Sequence, residues 1–303
     1  MTEAVSQRIG TRLLKLGTPR EISALGEAMV AALTRGDRDD PMLRILHGEA
    51  VEAAALATHS SLLEATGVAG RAGSKLRAWF RGHLVEGFVV LTDPLVSRSE
   101  RARAYLDPLW EAPTLARTML RRGAALGLDM GCGCGVLALV LSRWCGRVIG
   151  IDVTARAVAV ARFNALLNGV SRVEFHRGDL FVPVANQRFG QIVFNSPTHD
   201  EGKKNRDLLH AGERVLERFF TAVIRHLEAR GFCQANVGML DNPSDPFVGR
   251  LRRWLGADAG RVQVAIHITE REPRPNGCEF KRGHLTLHFG APGFVREISA
   301  PLS

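Results

Sequence analysis

From Ala124 onward, short apolar runs alternate with stretches of helical periodicity, and this alternation constrains the fold more than any other feature of the chain. The runs at 126–130, 147–152, 172–176, 191–195, 232–239, 262–268 and 284–289 read as strands. Helical spacing falls at 135–145, 155–168, 211–230 and 246–255. Strands separated by helices return to the same sheet through right-handed crossovers, which gives a mostly parallel, doubly wound α/β sheet of seven strands. The last two strands are joined by 269–282, which carries Pro273, Pro275, Asn276 and Gly277 and no helical pattern, so they form a hairpin and make one edge mixed.

Upstream the pattern differs. Residues 4–66 read as short helices, with Ile22, Leu25, Met29, Val30 and Leu33 at helical spacing and Asp39-Asp40-Pro41 as a helix start. From Lys75 to Leu91 the chain is strand-like, with Gly82 between two arms and Asp93-Pro94 as the stop. Helices followed by a two-stranded wing make 1–107 a helical, winged-helix-like module, a substrate or lid element, ahead of an α/β domain at 108–303. Residues 97–105 read as a charged loop, and 110–122 as a helix leading into the first strand.

With 303 residues and 46% apolar content the chain can bury a sizeable core, which excludes fibrous and wholly disordered classes. The longest apolar stretch, at 135–141, is far short of the roughly 20 residues of a membrane span, and the N-terminus lacks an apolar signal core. Of five cysteines, Cys132 and Cys134 are too close in sequence to bridge easily, so a reducing cytoplasm and no membrane partner are expected. The net charge of +9 is uneven: residues 1–120 carry +1 and residues 121–303 carry +8. Such a surface suits a polyanion; a general bias toward arginine gives the same count.

The densest signal is Leu128-Asp129-Met130-Gly131-Cys132-Gly133-Cys134-Gly135, directly after an apolar strand and before a helix. Alternate glycines allow a tight turn and a close ligand approach. A dinucleotide fingerprint needs glycine at 136, where the chain has Val136, which argues against a nicotinamide cofactor. Asp129 before the turn suits a cationic ligand. Cys132 and Cys134 lack two further ligands nearby for a metal, and small side chains beside a cofactor explain them better.

This stretch resembles the first motif of the class I S-adenosylmethionine-dependent methyltransferases, acidic-x-Gly-x-Gly-x-Gly. Three further matches follow in order: Asp152 at the end of the second strand, Gly178-Asp179-Leu180-Phe181 after the third, and Asn195-Ser196-Pro197-Thr198 after the fourth. The resemblance covers roughly 108–240 and implies a Rossmann-like fold with S-adenosyl-L-methionine as cofactor. It assigns cofactor contacts to Asp129, Gly131, Cys132, Gly133, Gly135, Asp152, Val153, Asp179, Leu180 and Asn195, with Asp152 accepting from the ribose hydroxyls and Asp179 from the adenine amino group.

The fourth motif resembles the Asn-Pro-Pro-Tyr/Phe signature of enzymes that methylate amino or amide nitrogens, where Asn orients the nitrogen and the aromatic ring stacks on its planar group. Asn195, Ser196, Pro197, Thr198 and His199 are thus the candidate catalytic residues. Thr198 cannot stack, so another ring, Phe181 or Trp110, is needed on that face. His199 is either a base or an exposed loop histidine, and Lys203, Lys204 and Arg206 either meet phosphate or are solvated. Trp110 is either a cover over the cofactor or a packing residue, whereas His210, Phe219 and Phe220 are expected to face the sheet. The expectation is N-methylation of a nucleic-acid base, RNA ahead of DNA, or of a protein amide. The alternatives are a methyltransferase for a small metabolite, lidded by the N-terminal module, and a noncatalytic nucleic-acid-binding protein that senses the cofactor.

Overall fold

A computed structural model describes residues 18–93, 111–197, 206–290 and 294–298. The helices of the first part start where the sequence supplies caps. In α1 (Pro19–Arg35) Thr18 and Glu21 form a reciprocal capping box and Gly36 ends the helix in the left-handed region, while Asp40 caps α2 (Pro41–Leu46). After β1 (Ala50–Glu52) and α3 (His59–Ala65) come β2 (Ala69–Ala72) and β3 (Lys75–Ala78). These three strands form an antiparallel sheet in the order β1-β3-β2.

The next two strands, β4 (Arg81–Val85) and β5 (Phe88–Thr92), form a separate hairpin. Its turn is at Glu86-Gly87, both at positive φ, as a tight hairpin requires. Gly82, expected to divide the two arms, lies inside β4. A β-carbon there would stand 2.7 Å from Leu46 Cδ2, so that glycine serves close packing and not a turn. The expected boundary at 107/108, the charged loop at 97–105 and the first 17 residues lie outside the described residues.

The second part is the doubly wound sheet. Its elements are α4 (Ala112–Thr118), β6 (Ala124–Met130), α5 (Val136–Leu141), β7 (Cys145–Asp152), α6 (Ala155–Leu167), β8 (Val173–Arg177), β9 (Phe189–Asn195), α7 (Arg206–Val223), β10 (Leu227–Asp241), α8 (Phe247–Leu255), β11 (Val262–Pro273), β12 (Glu279–Phe289) and β13 (Phe294–Ile298). The strand order is β13-β11-β12-β10-β9-β6-β7-β8. Only the pairings of β12 with β10 and β11 are antiparallel. All seven expected strands are present, and the short β13 adds an eighth, parallel to β11.

Several boundaries differ from expectation. The helix expected at 211–230 stops at Val223, and after a single 3-10 turn the chain enters β10 at Leu227. The residues between Leu227 and Phe232 favour helix by composition, but here they form an irregularity in the pairing with β9, with Arg230 at φ 66°. The expected loop at 269–282 is mostly strand, because β11 and β12 remain paired through to Pro273 and Glu279. Among the described residues no helix is long and apolar enough to cross a membrane.

Two apolar cores flank the sheet. One joins α7 and α8 to the sheet through Phe219, Phe220, Phe247 and Leu251. The other joins α5 and α6 to the first part of the chain, with Leu25, Met29, Leu46 and Val89 in the same cluster as Leu139, Val148 and Phe163. All six residues of α5 are buried, as expected of an all-apolar helix enclosed on every side. Polar contacts join the same two parts. Asn164 on α6 and Asn168 at its C-cap each exchange amide hydrogen bonds with the backbone of β5, at Leu91 and Val89 respectively. Arg156 pairs with Asp93, and Gly26 lets α1 cross α6 where a β-carbon would stand 1.8 Å from the Leu167 carbonyl oxygen.

Candidate functional site

The glycine loop leaves β6 and enters α5 with Gly131, Gly133 and Gly135 all in the left-handed region. Their surroundings differ. At Gly135 a β-carbon would come within 2.9 Å of Ala161 Cβ and 3.0 Å of Phe175, so packing alone demands glycine. At Gly133 it would meet nothing within 4 Å, so this face of the loop is open to a ligand. Cys132 and Cys134 are both buried. Burial, with the nearby carboxylates of Asp129 and Asp152, pushes the Cys132 thiol well up, so it stays protonated and packs as a small apolar side chain.

Asp129 is 1% exposed. Its Oδ2 accepts the Ala138 N–H at 2.8 Å, tying the end of β6 to the first turn of α5, while its Oδ1 is buried without a partner. Burial pushes this carboxyl up to about 8, against the opposing effect of the Ala138 N–H and with a smaller contribution from Asp152. An unpaired acceptor beside an open glycine loop fits a ligand with a cationic amino group.

Asp152 ends β7 and organises the loop from the other side. Its Oδ2 accepts the Gly133 N–H at 3.0 Å, and its Oδ1 accepts the Thr154 N–H at 2.8 Å and hydroxyl at 3.0 Å. Thr154 in turn caps α6 by accepting from Ala157. One carboxylate therefore fixes both the loop and the next helix start. Beside it Val153 is 62% exposed, an uncovered apolar side chain at the strand end.

The third motif lies on the turn after β8. Asp179 is exposed and paired with Arg218 of α7 at 2.6 Å. Leu180 is half-buried with φ 46°, in a turn tightened by Pro183 packing over Gly178. Phe181, proposed from the sequence as a cover for the substrate, is buried and stacked on His226 at 4.2 Å, with Phe219 behind it. It is committed to the core. Burial lowers the His226 pKa, which favours the neutral ring in that stack.

At the end of β9, Asn195 is half-buried, Ser196 buried and Pro197 exposed. Thr198, His199, Lys203, Lys204 and Trp110, and the side chains of Arg206 and His210, lie outside the described residues. Phe219 and Phe220 face the sheet as expected. The residue that holds the lip was not foreseen: Asn236 on β10 stands in register with Asn195 and donates from Nδ2 to its Oδ1 at 2.9 Å. Ser196 donates from its hydroxyl and backbone N–H to the Asn236 carbonyl, at 2.7 and 3.3 Å. A proline at 196 has no N–H to give, so the departure from Asn-Pro-Pro carries an anchor of its own. The signal was present in the sequence, since Gln234 and Asn236 are polar at alternate positions of an otherwise apolar strand.

The glycine loop, Asp152 and Asn195 all lie at the C-terminal ends of adjacent parallel strands β6, β7 and β9. A separate cleft of about 740 Å³ between α7 and α8, lined by Glu217, Arg250 and Trp254, contains none of them.

Comparisons with known proteins find similarity over the same part of the chain. Residues 112–234 match the family described as methyltransferase small domain. The ribosomal RNA small subunit methyltransferase C of Alcanivorax borkumensis is 30% identical over 142 residues, 47% of this chain and 38% of that protein. A release factor glutamine methyltransferase of Geobacter sulfurreducens is 36% identical over 96 residues, 30% of this chain and 34% of that protein. The chain thus matches well under half the length of either relative. Among solved structures, the 16S rRNA N2 G1207 methyltransferase of T. Thermophilus, in complex with AdoMet and guanosine, aligns with a TM-score of 0.44 and 18% identity over 88% of this chain and 69% of that one. Residues 112–234, with the glycine loop, Asp152 and Asn195 inside them, are thus the part of the chain that is similar to the methyltransferase small domain family.

Proposed function

We propose that the chain is an S-adenosylmethionine-dependent N-methyltransferase whose acceptor is an amino nitrogen of an RNA base. The observation that carries this reading is the juxtaposition of an open glycine loop held by Asp152 with an oriented, half-exposed Asn195 at the neighbouring strand end. Relatives named for methylation of ribosomal RNA and of release-factor glutamine support an RNA or protein acceptor, and the net +8 of residues 121–303 favours the polyanion.

The cofactor supplies an already activated methyl group. The protein therefore has to bind, align and exclude water, with no covalent nucleophile required. Asp129 offers a buried acceptor for a cationic amino group, and the Gly133 side of the loop admits the ligand without a β-carbon in the way. Asp152 keeps that loop in shape and has lone pairs left for hydroxyl donors; Val153 gives an apolar contact beside it. Asn195 orients the acceptor nitrogen. Because Asn164 and Asn168 bind the N-terminal part to α6, that part belongs to the same packed body, which argues against a freely closing lid over a small metabolite.

The test is transfer of tritiated methyl from S-adenosylmethionine to total RNA and to total protein from a strain lacking the gene, followed by mass spectrometry of the labelled fraction. Label on a base nitrogen supports the proposal. Label confined to protein glutamine moves the acceptor to a peptide amide, and no label in either overturns it.

A further inference from the structure

The sequence motif draws attention to Asn195, but the side chain that decides how Asn195 is presented lies on the next strand. Asn236 is 5% exposed, and its Nδ2 donates both to the Glu111 carbonyl oxygen at 3.3 Å and to Asn195 Oδ1 at 2.9 Å. A backbone carbonyl can only accept, so the contact with Glu111 fixes which end of the Asn236 amide is the NH₂ group. That in turn fixes Asn195. Turning its amide over would set NH₂ against NH₂ in a buried place, where an unmade hydrogen bond is costly.

We propose that Asn236 is the positioning residue of the site. It holds the Asn195 amide in one orientation, so that the outward edge offers an Oδ1 lone pair and the Nδ2 hydrogens side by side. Such an edge pairs with a planar group that has a donor next to an acceptor, as in the N–C=N edge of a base. An alkylamine or an isolated hydroxyl has no matching pair of groups. Asn236 Oδ1 is buried without a partner, so the residue is not kept for a saturated network of its own. This inference rests on the N-methyltransferase reading and adds to it the acceptor group and the residue that sets its recognition.

The test uses Asn236→Asp, which keeps the size and the Ser196 bonds to the carbonyl of residue 236 but, when ionised, has no side-chain donor for Asn195 or for the Glu111 carbonyl. In the methyl-transfer assay on total RNA, kcat should fall at least about tenfold while S-adenosylmethionine affinity stays within about twofold, the pattern of lost acceptor alignment. In an Asn195→Ala background the same substitution should cost nothing further, because the residue it orients is gone. A purely structural residue would multiply the two losses.

A second readout needs no substrate. The side-chain NH₂ resonances of Asn195, identified by their loss in Asn195→Ala, should shift strongly in Asn236→Asp as the amide turns to face the carboxylate. Unmoved resonances, or wild-type turnover in Asn236→Asp, overturn the role of Asn236. A wild-type protein that labels nothing overturns the N-methyltransferase reading instead, while the resonance shift still decides whether Asn236 orients Asn195.

Discussion

The carboxylate of Asp152 accepts the backbone N–H of Gly133 at 3.0 Å, so a residue nineteen positions downstream holds the glycine loop in the shape in which it faces a ligand. The same carboxylate is expected to receive the cofactor's hydroxyls. Asp152→Ala removes both functions at once. With charge-assisted hydrogen bonds worth about 1.5–3 kcal/mol each, S-adenosylmethionine affinity should fall by at least about tenfold and up to about a hundredfold or more. Calorimetry on the purified protein measures this, and unchanged affinity would remove Asp152 from the cofactor site.

Two glycines of the loop should separate stability from binding. Gly135→Ala forces a β-carbon against Ala161 and Phe175 as well as an unfavourable φ, so it should destabilise the fold by about 2–4 kcal/mol. Gly133→Ala meets no protein atom and should cost only the backbone term, about 1–2 kcal/mol, yet weaken cofactor binding by filling the open face. Urea unfolding and calorimetry on both variants check the contrast. Equal destabilisation would mean that Gly133 is needed by the fold and not by a ligand.

Asp129 makes a prediction about pH. Its folded pKa of about 8 lies far above the roughly 3.9 of an unfolded Asp, so between those values the folded protein holds one more proton. The stability this group contributes is complete below about pH 4 and is lost as the pH rises through about 8. Asp129→Asn should flatten that part of the stability profile. A cationic ligand favours the ionised carboxylate, so cofactor binding at pH 7 should release a proton, seen as a calorimetric enthalpy that varies with the ionisation heat of the buffer. A buffer-independent enthalpy would place the cationic group elsewhere.

The first part of the chain and the cofactor half should unfold together. Asn164 is fully buried, bonds both ways to Leu91 and donates to the Cys134 carbonyl at 2.9 Å, so Asn164→Ala leaves several backbone groups without partners. At about 1–3 kcal/mol for an unmet buried group, a loss of roughly 3–5 kcal/mol is expected. Denaturation followed by fluorescence and by circular dichroism should give one coincident transition. Two separated transitions would show that the halves are independent.

Much of the α/β half was legible because its strands are continuous apolar runs and its glycine loop falls directly between a strand and a helix. The limits lay where tertiary pairing overrides local preference: residues 228–230 carry a helix-like composition yet lie in β10, and 269–272 and 279–282 are charged yet stay paired in the hairpin. At the candidate site, the strand-end positions of Asp129, Asp152 and Asn195 were readable from motif order. Asn236 and Asn164 were not, since a polar residue in an apolar element shows that something must be satisfied without showing by what. Phe181 was misjudged for the opposite reason, as an aromatic after a motif looks available until His226 is seen stacked on it.

If Asn195 acts on the acceptor and not on the cofactor, its removal separates binding from turnover. Asn195→Ala is set against wild type in S-adenosylmethionine affinity and in methyl transfer to total RNA from a strain lacking the gene. Affinity should stay within about twofold and turnover should fall roughly 10²-fold or more, the scale for losing a positioned polar group. Turnover equal to wild type, or a parallel loss of cofactor affinity, would contradict it.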